Sequence, residues 1–259
     1  MTENEFAATA KTSKGQMYLY EQPELLTSAD HGKLGLSAVE RPFDFVRSAK
    51  VIPIAVSEIA SAQKYFPVVF SNPDKPALLA VVSVVDDVNL FVDEDGNWDS
   101  STYMPSYLHC HPFAFATMPN DQFAVVIDRA AAGVSASPEI PFFDGKDLTP
   151  QIQARVDFCG QFSGQRHQTS VFCDRLQELG LLSGQRAAQT PPGADEEQEI
   201  ASYVAVNTDK LKDLDKDTLQ DLHKNGLLSA IYAHIFSLEN WYLLLERRRR
   251  RGLPVFNAG

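Results

Sequence analysis

His109-Cys110-His111 is the one segment with the residue types and spacing of a metal site. Read as a strand, it sets side chains two apart on one face, roughly 6.6–6.8 Å apart along the chain. Two imidazoles so placed can share an ion, but a working site needs one or two further ligands. No histidine or carboxylate is paired with them locally. The expected arrangement is therefore two histidines packed beside Tyr107, Phe113 and Phe115 on one sheet face, with no metal bound. With Trp98 and Tyr103 these residues form an aromatic stretch over 98–115. Small-molecule pockets use aromatic walls with a few polar groups, so the candidate binding residues are Trp98, Tyr103, Tyr107, His109 and His111.

Other chemistry fails on spacing. Asp93-Glu94-Asp95-Gly96-Asn97 has the acids of a calcium loop, which wants glycine sixth and glutamate twelfth. Counted from Asp93, glycine is fourth and position twelve is Met104, so a hairpin turn explains the segment. There is no Gly-x-Ser-x-Gly elbow, phosphate-binding glycine loop or dinucleotide fingerprint. The serine of Gly160-Gln161-Phe162-Ser163-Gly164 is off centre and lies in a helical stretch. His31-Gly32-Lys33 reads as a turn. No catalytic residue and no cofactor is expected. Arg247 to Arg251 form a run of five at a helix carboxyl end, where cations offset exposed carbonyls. A basic tip could also dock an acidic partner or anionic lipid, with the acidic first half of the chain as an intramolecular competitor. Their stems are expected to pack while their charges stay in water.

The elements that must position these residues follow from periodicity. Residues 1–16 are polar and small and read as a flexible arm. Strands are expected at Met17–Tyr20, Phe43–Val46, Val51–Val56, Val68–Phe70, Ala77–Val85, Asn89–Asp93, Tyr107–Ala116 and Phe123–Ile127. Pro53 marks its strand as an edge or a bulge. Ser57 caps a short helix that ends before Pro67. Asp95-Gly96 signals a hairpin. Residues 129–148 read as a long loop. Thr149-Pro150 opens a helix that Gly160 and Gly164 weaken, with a restart near His167 and a stop at Gly180. Residues 183–199 read as a polar linker and Tyr203–Val206 as a short strand. Asp217 caps a further helix that ends at Gly226. Leu228, Ile231, Ile235, Leu238, Tyr242 and Leu245 then step by three and four, one buried stripe of a long last helix. The fold class is α+β: an antiparallel sheet drawn mainly from the amino-terminal half, with long helices in the carboxyl-terminal half. Residues 17–259 are expected to form a single domain, β-rich over 17–128 and helix-rich over 149–251.

Composition narrows the function classes. The 259 residues are 44% hydrophobic and 22% charged, enough apolar material for a sizeable core. The net charge is −11, and residues 16–128 carry fifteen acids against six bases. That field repels phosphate backbones, so no nucleic-acid partner is expected. Three scattered cysteines without CxxC spacing read as reduced, buried thiols. Met1-Thr2-Glu3-Asn4-Glu5-Phe6 carries acids where a cleavable signal needs bases and an apolar run. Ala77–Val82 is far too short to span a bilayer, which needs about 20 residues. A cytoplasmic location is expected; an uncleaved export signal near the carboxyl end stays open.

Several segments, in order, resemble the SapC family. They are Val51-Ile52-Pro53-Ile54, Tyr65-Phe66-Pro67-Val68-Val69-Phe70, Asn89-Leu90-Phe91-Val92-Asp93 with Asn97-Trp98, and Met104-Pro105-Ser106-Tyr107-Leu108 with Pro112-Phe113. Asn225-Gly226-Leu227-Leu228, Tyr232-Ala233-His234 and Ser237-Leu238 complete the set, over roughly residues 17–250. The resemblance implies association with bacterial surface-layer or TonB-dependent uptake systems and unknown protein partners, and carries no activity to transfer. The leading expectation is a non-enzymatic accessory or binding protein. The alternative is a small-molecule sensor or enzyme with a pocket on the aromatic and histidine face around residues 98–115. A closed, side-chain-filled face favours the first, and a concave, open one the second.

Overall fold

The computed structural model describes residues 17–117, 123–190 and 195–255, so the arm expected over 1–16 lies outside the described residues. Thirteen strands occur among them: β1 Pro23–Leu25, β2 Gly35–Leu36, β3 Val51–Pro53, β4 Val68–Phe70, β5 Leu78–Val81, β6 Phe113–Thr117, β7 Phe123–Asp128, β8 Val134–Ser135, β9 Ile140–Pro141, β10 Phe143–Asp144, β11 Asp147–Leu148, β12 Leu182–Gln189 and β13 Gln198–Val206. The α-helices are α1 Ser28–His31, α2 Ile59–Ala62, α3 Ser106–Cys110, α4 Pro150–Glu178, α5 Thr208–Lys212, α6 Lys216–Lys224, α7 Leu227–Ser237 and α8 Asn240–Arg250. The class is α+β, as expected. None of these helices is long and apolar enough to cross a membrane.

The largest sheet has the order β12-β13-β4-β5-β3, with every pair antiparallel. Val68, Val69 and Phe70 of β4 and Ala80 and Val81 of β5 are fully buried, which is why these strands read as unbroken apolar runs. Pro53 lies on edge strand β3, where its missing N–H costs no ladder bond. The expected linker at 183–199 is instead largely strand: β12 and the start of β13. β12 is the opposite edge and exposes Gln185 and Arg186, so too few apolar positions remain for alternation to show. A second sheet, β1-β7-β6, sets Phe113 opposite Ile127 and Ala114 opposite Val126. The expected 129–148 loop holds the short strands β8 to β11.

Three other strand expectations are overturned. Met17–Tyr20 turns through Leu19, whose φ is 65°. Asp44–Val46 is a 3-10 helix. Asn89–Asp93 contributes only the Val92–Trp98 bridge. Between those bridge residues the hairpin forms as read: Asp93 Oδ1 accepts from Asn97 N at 2.8 Å, and Gly96 takes φ 78°. A Cβ at Gly96 would lie 2.7 Å from Cβ of Arg41, so the turn needs glycine twice over.

Helix α4 runs unbroken through Gly160 and Gly164, without the expected restart. Its buried face, Ile152, Val156, Cys159, Phe162, Phe172 and Leu176, outweighs roughly 1 kcal/mol of helix penalty per glycine. Gly180 ends the turn that follows at φ 62°. The expected single last helix is two, α7 and α8, bent at Leu238–Glu239. Ser237 Oγ accepts from Val68 N at 2.9 Å, and Asn240 Nδ2 donates to Phe66 O at 2.9 Å, so both sides of the bend are tied to the sheet. The stripe is corrected accordingly. Ile231 and Leu245 are buried, Leu228, Ile235 and Leu238 are half-buried, and Tyr242 is 57% exposed. Trp241, Leu244 and Arg248 take the inner positions of α8. Arg248 contradicts the expectation of charges held in water. It is fully buried, pairs in bidentate fashion with Asp86 at 2.6 and 2.9 Å, and donates to the carbonyls of Val84 and Pro254.

Candidate functional site

The short helix α3 begins after Pro105 and ends at Cys110, and Tyr107 and Leu108 turn inward. His111 then turns the chain through a cis bond to Pro112 into β6. The two histidines therefore do not share a strand face, contrary to expectation. His109 sits in the last turn of α3, exposed, with its ring edge-on to Phe158 of α4 at 6.0 Å. His111 lies half-buried beyond the helix and stacks flat on Phe45, with centroids 3.8 Å apart and planes at 11°.

Tyr20 meets the His111 ring edge-on at 5.3 Å. Asp128, at the end of β7, approaches its Nε2 at 3.4 Å. That carboxylate also accepts from the backbone N–H of Glu21, Gln22 and Ala130 at 2.9, 2.9 and 3.2 Å. Burial alone would raise its pKa, but the His111 contact and these N–H groups together bring it down to about 2. Asp128 is thus ionised and acceptor-only, so the ring N–H that faces it is on Nε2, and in that tautomer Nδ1 is the acceptor. No bond from the described residues reaches Nδ1.

This group stands on the wall of a cleft of about 890 Å³. Leu36, Val39, Phe43, Met104, Leu108 and Ile140 supply its apolar lining. Arg41, Asp44, Glu139 and Arg155 also reach it. Arg41 Nε is bound to Asp44 at 2.6 Å, so part of that charge is already neutralised.

Of the five expected site residues, the structure brings His109 and His111 to the cleft and leaves three elsewhere. Trp98 is buried against Phe91 and Phe66, and its indole Nε1 finds no partner among the described residues. Tyr103 donates to Glu58 Oε1 at 2.8 Å; burial first, then the Glu58 charge, raises its pKa. The same buried carboxylate accepts from Ala55 N and Ser106 N at 2.7 Å each, so Glu58 fastens the start of α3 to the start of α2. Tyr107 donates to the carbonyl of Tyr18. These are packing roles. The residues missed were Phe45, Tyr20 and Asp128. Pairing β6 with β7 was the available signal for the last, since Phe113 opposite Ile127 puts Asp128 beside Pro112. Among the described residues no group of three or more His, Cys, Asp or Glu is placed to hold a metal ion.

The model of the protein family described as SapC matches residues 26–244, which includes most of the cleft wall. No curated protein and no solved structure matches the chain.

Proposed function

The chain belongs to the SapC family, and from that premise we propose a binding protein whose cleft captures a small, largely apolar molecule carrying one hydrogen-bond donor. The observation behind this reading is the open Nδ1 acceptor of His111, with its ring fixed by Phe45 and Asp128, beside the apolar lining of a cleft that Arg41, Asp44, Glu139 and Arg155 also reach. A concave apolar site with few placed polar groups suits selective small-molecule binding. An accessory role beside surface-layer or TonB-dependent uptake systems, implied by family resemblance alone, fits a carrier or sensor that holds its ligand unchanged.

The test uses 2-naphthol, a flat aromatic probe with one hydroxyl, against naphthalene, which has none. Titration followed by probe fluorescence should show saturable binding that favours 2-naphthol. His111→Ala should remove that preference, about tenfold in affinity for a lost buried hydrogen bond. Phe45→Ala should weaken both probes. Equal affinity for the two probes in the native chain would sink the proposal.

The His111–Asp128 pair favours a second reading. An imidazole with one nitrogen on a carboxylate and the other open is also the base half of a proton-transfer site. Exchange of an acidic C–H or N–H proton of a bound molecule into deuterated water, lost in His111→Ala, distinguishes catalysis from capture.

A further inference from the structure

The arginine run answers two purposes, and one of them is not structural. Leu243, Glu246, Arg247 and Arg250 of α8, with Arg251 just past its end, follow at helical spacing and line one side of a second recess of about 350 Å³. Lys64 and Tyr65, just beyond α2, and Leu90, Asp99 and Ser101 line the rest. It shares no lining residue with the His111 cleft.

Four cations meet two anions there, and both anions are already engaged. Asp99 takes Arg247 Nη1 at 2.8 Å and Ser101 Oγ at 2.6 Å. Burial alone would raise its carboxyl, yet these bonds hold it below its ordinary value. Glu246 turns to Arg249 at 2.5 Å. Arg247 is further fixed over the Phe91 ring at 4.2 Å. Among the described residues the Arg251 side chain donates only to the carbonyl of Asn89, at 3.1 Å. Burial, and then the like charge of Arg247, pushes its guanidinium below the ordinary value. Lys64 and Arg250 are exposed and have no carboxylate partner among the described residues.

The helix end does not account for this excess. The carbonyls of Arg247, Arg248 and Arg249 in the last turn of α8 already accept from the backbone N–H groups of Arg251, Gly252 and Leu253. Lys64 belongs to a different part of the chain. A protein of net charge −11 thus gathers Lys64, Arg247, Arg250 and Arg251 around one concavity. Guanidinium forks match phosphate oxygens in pairs, and a cluster with more cations than counter-ions is stabilised by the anion that fills it. Three of the four cations lie beyond the segment matched by the family model, which ends at residue 244.

We propose that this recess is a phosphate-binding site, with Arg250, Arg251 and Lys64 receiving the phosphate oxygens and Arg247 held in place by Asp99 and Phe91. The phosphate belongs either to a soluble molecule or to a lipid headgroup, and the experiment separates the two. The full chain is titrated calorimetrically with inorganic pyrophosphate and, in a second arm, with phosphatidylglycerol vesicles against phosphatidylcholine vesicles. Arg250→Ala and Lys64→Ala remove exposed, unpaired side chains and leave the fold intact, and Lys146→Ala is a control outside the recess. Saturable pyrophosphate binding that falls about tenfold or more in each variant, but not in the control, assigns a soluble phosphate. Phosphatidylglycerol binding with the same pattern, in the absence of pyrophosphate binding, assigns a headgroup. Binding in neither arm, or binding indifferent to both substitutions, overturns the site.

Discussion

Replacing Arg248 by alanine should be among the most damaging single changes in the carboxyl-terminal third of the chain. Its guanidinium is fully buried and donates to Asp86 twice, to Val84 O and to Pro254 O. Between the first two partners lies Val85, a β-branched residue at φ 75°, where such side chains are seldom found. Arg248 therefore clamps both flanks of a strained turn. Its removal frees two carbonyls, at roughly 1–3 kcal/mol for each that stays dry. Asp86 is 43% exposed and can rehydrate, so its share is smaller than for a wholly buried ion. The sum is about 3–5 kcal/mol, in line with breaking a buried pair from one side. Arg250→Ala, at an exposed position without a partner, should stay within about 0.5 kcal/mol. Urea melts at neutral pH, with equal slopes so that midpoints report stability, measure both. A loss below about 1 kcal/mol for Arg248→Ala, or equal losses for the two variants, refutes the clamp.

Two further outcomes are expected. His234 is buried, donates from Nδ1 to Val68 O at 2.8 Å and accepts from Val206 N at 3.1 Å, and burial brings its pKa down to about 4. The unfolded chain therefore takes up a proton at His234 near pH 6.5 and the folded one only near 4, so stability falls with pH across that window. The loss between pH 7 and 5 should be about 2 kcal/mol from this group, and a His234 ring signal titrating near 6.5 in the folded protein would contradict it. Gly164 is exposed within α4, and nothing lies within 4 Å of its absent Cβ. Gly164→Ala should raise stability by about 0.5–1 kcal/mol in the same melts, whereas a loss would show that the helix is not continuous there.

The sequence was legible where one side chain period and one environment coincide. Val68–Phe70 and Leu78–Val81 are buried on both faces, so β-branched and apolar runs sufficed. Tyr107, His109, His111, Phe113 and Phe115 alternate perfectly, yet only the last two lie on a strand. A five-residue helix shows barely more than one turn, too little for its period to be told from alternation. At the end of the chain the three-and-four spacing was right in kind and wrong in phase. Ser237 and Asn240 bind the backbone of Val68 and Phe66, and those two polar contacts bend the helix and bring Arg248 inside. The cleft was half visible, because His111 stood out by type. Phe45 and Asp128 are supplied by a distant 3-10 helix and a sheet register, which no local pattern records.

The strand order of the largest sheet also has a consequence for synthesis on the ribosome. β4 has only β5 beside it until β13 arrives, and Val204 opposite Phe70 is separated from it by more than half the chain. A nascent chain that has released β3, β4 and β5 thus carries an open, wholly apolar edge through the emergence of α4 and β12. Open edges of this kind pair readily with other chains. Translation pauses between residues 82 and 198, or truncations in that interval, should therefore give aggregation-prone products.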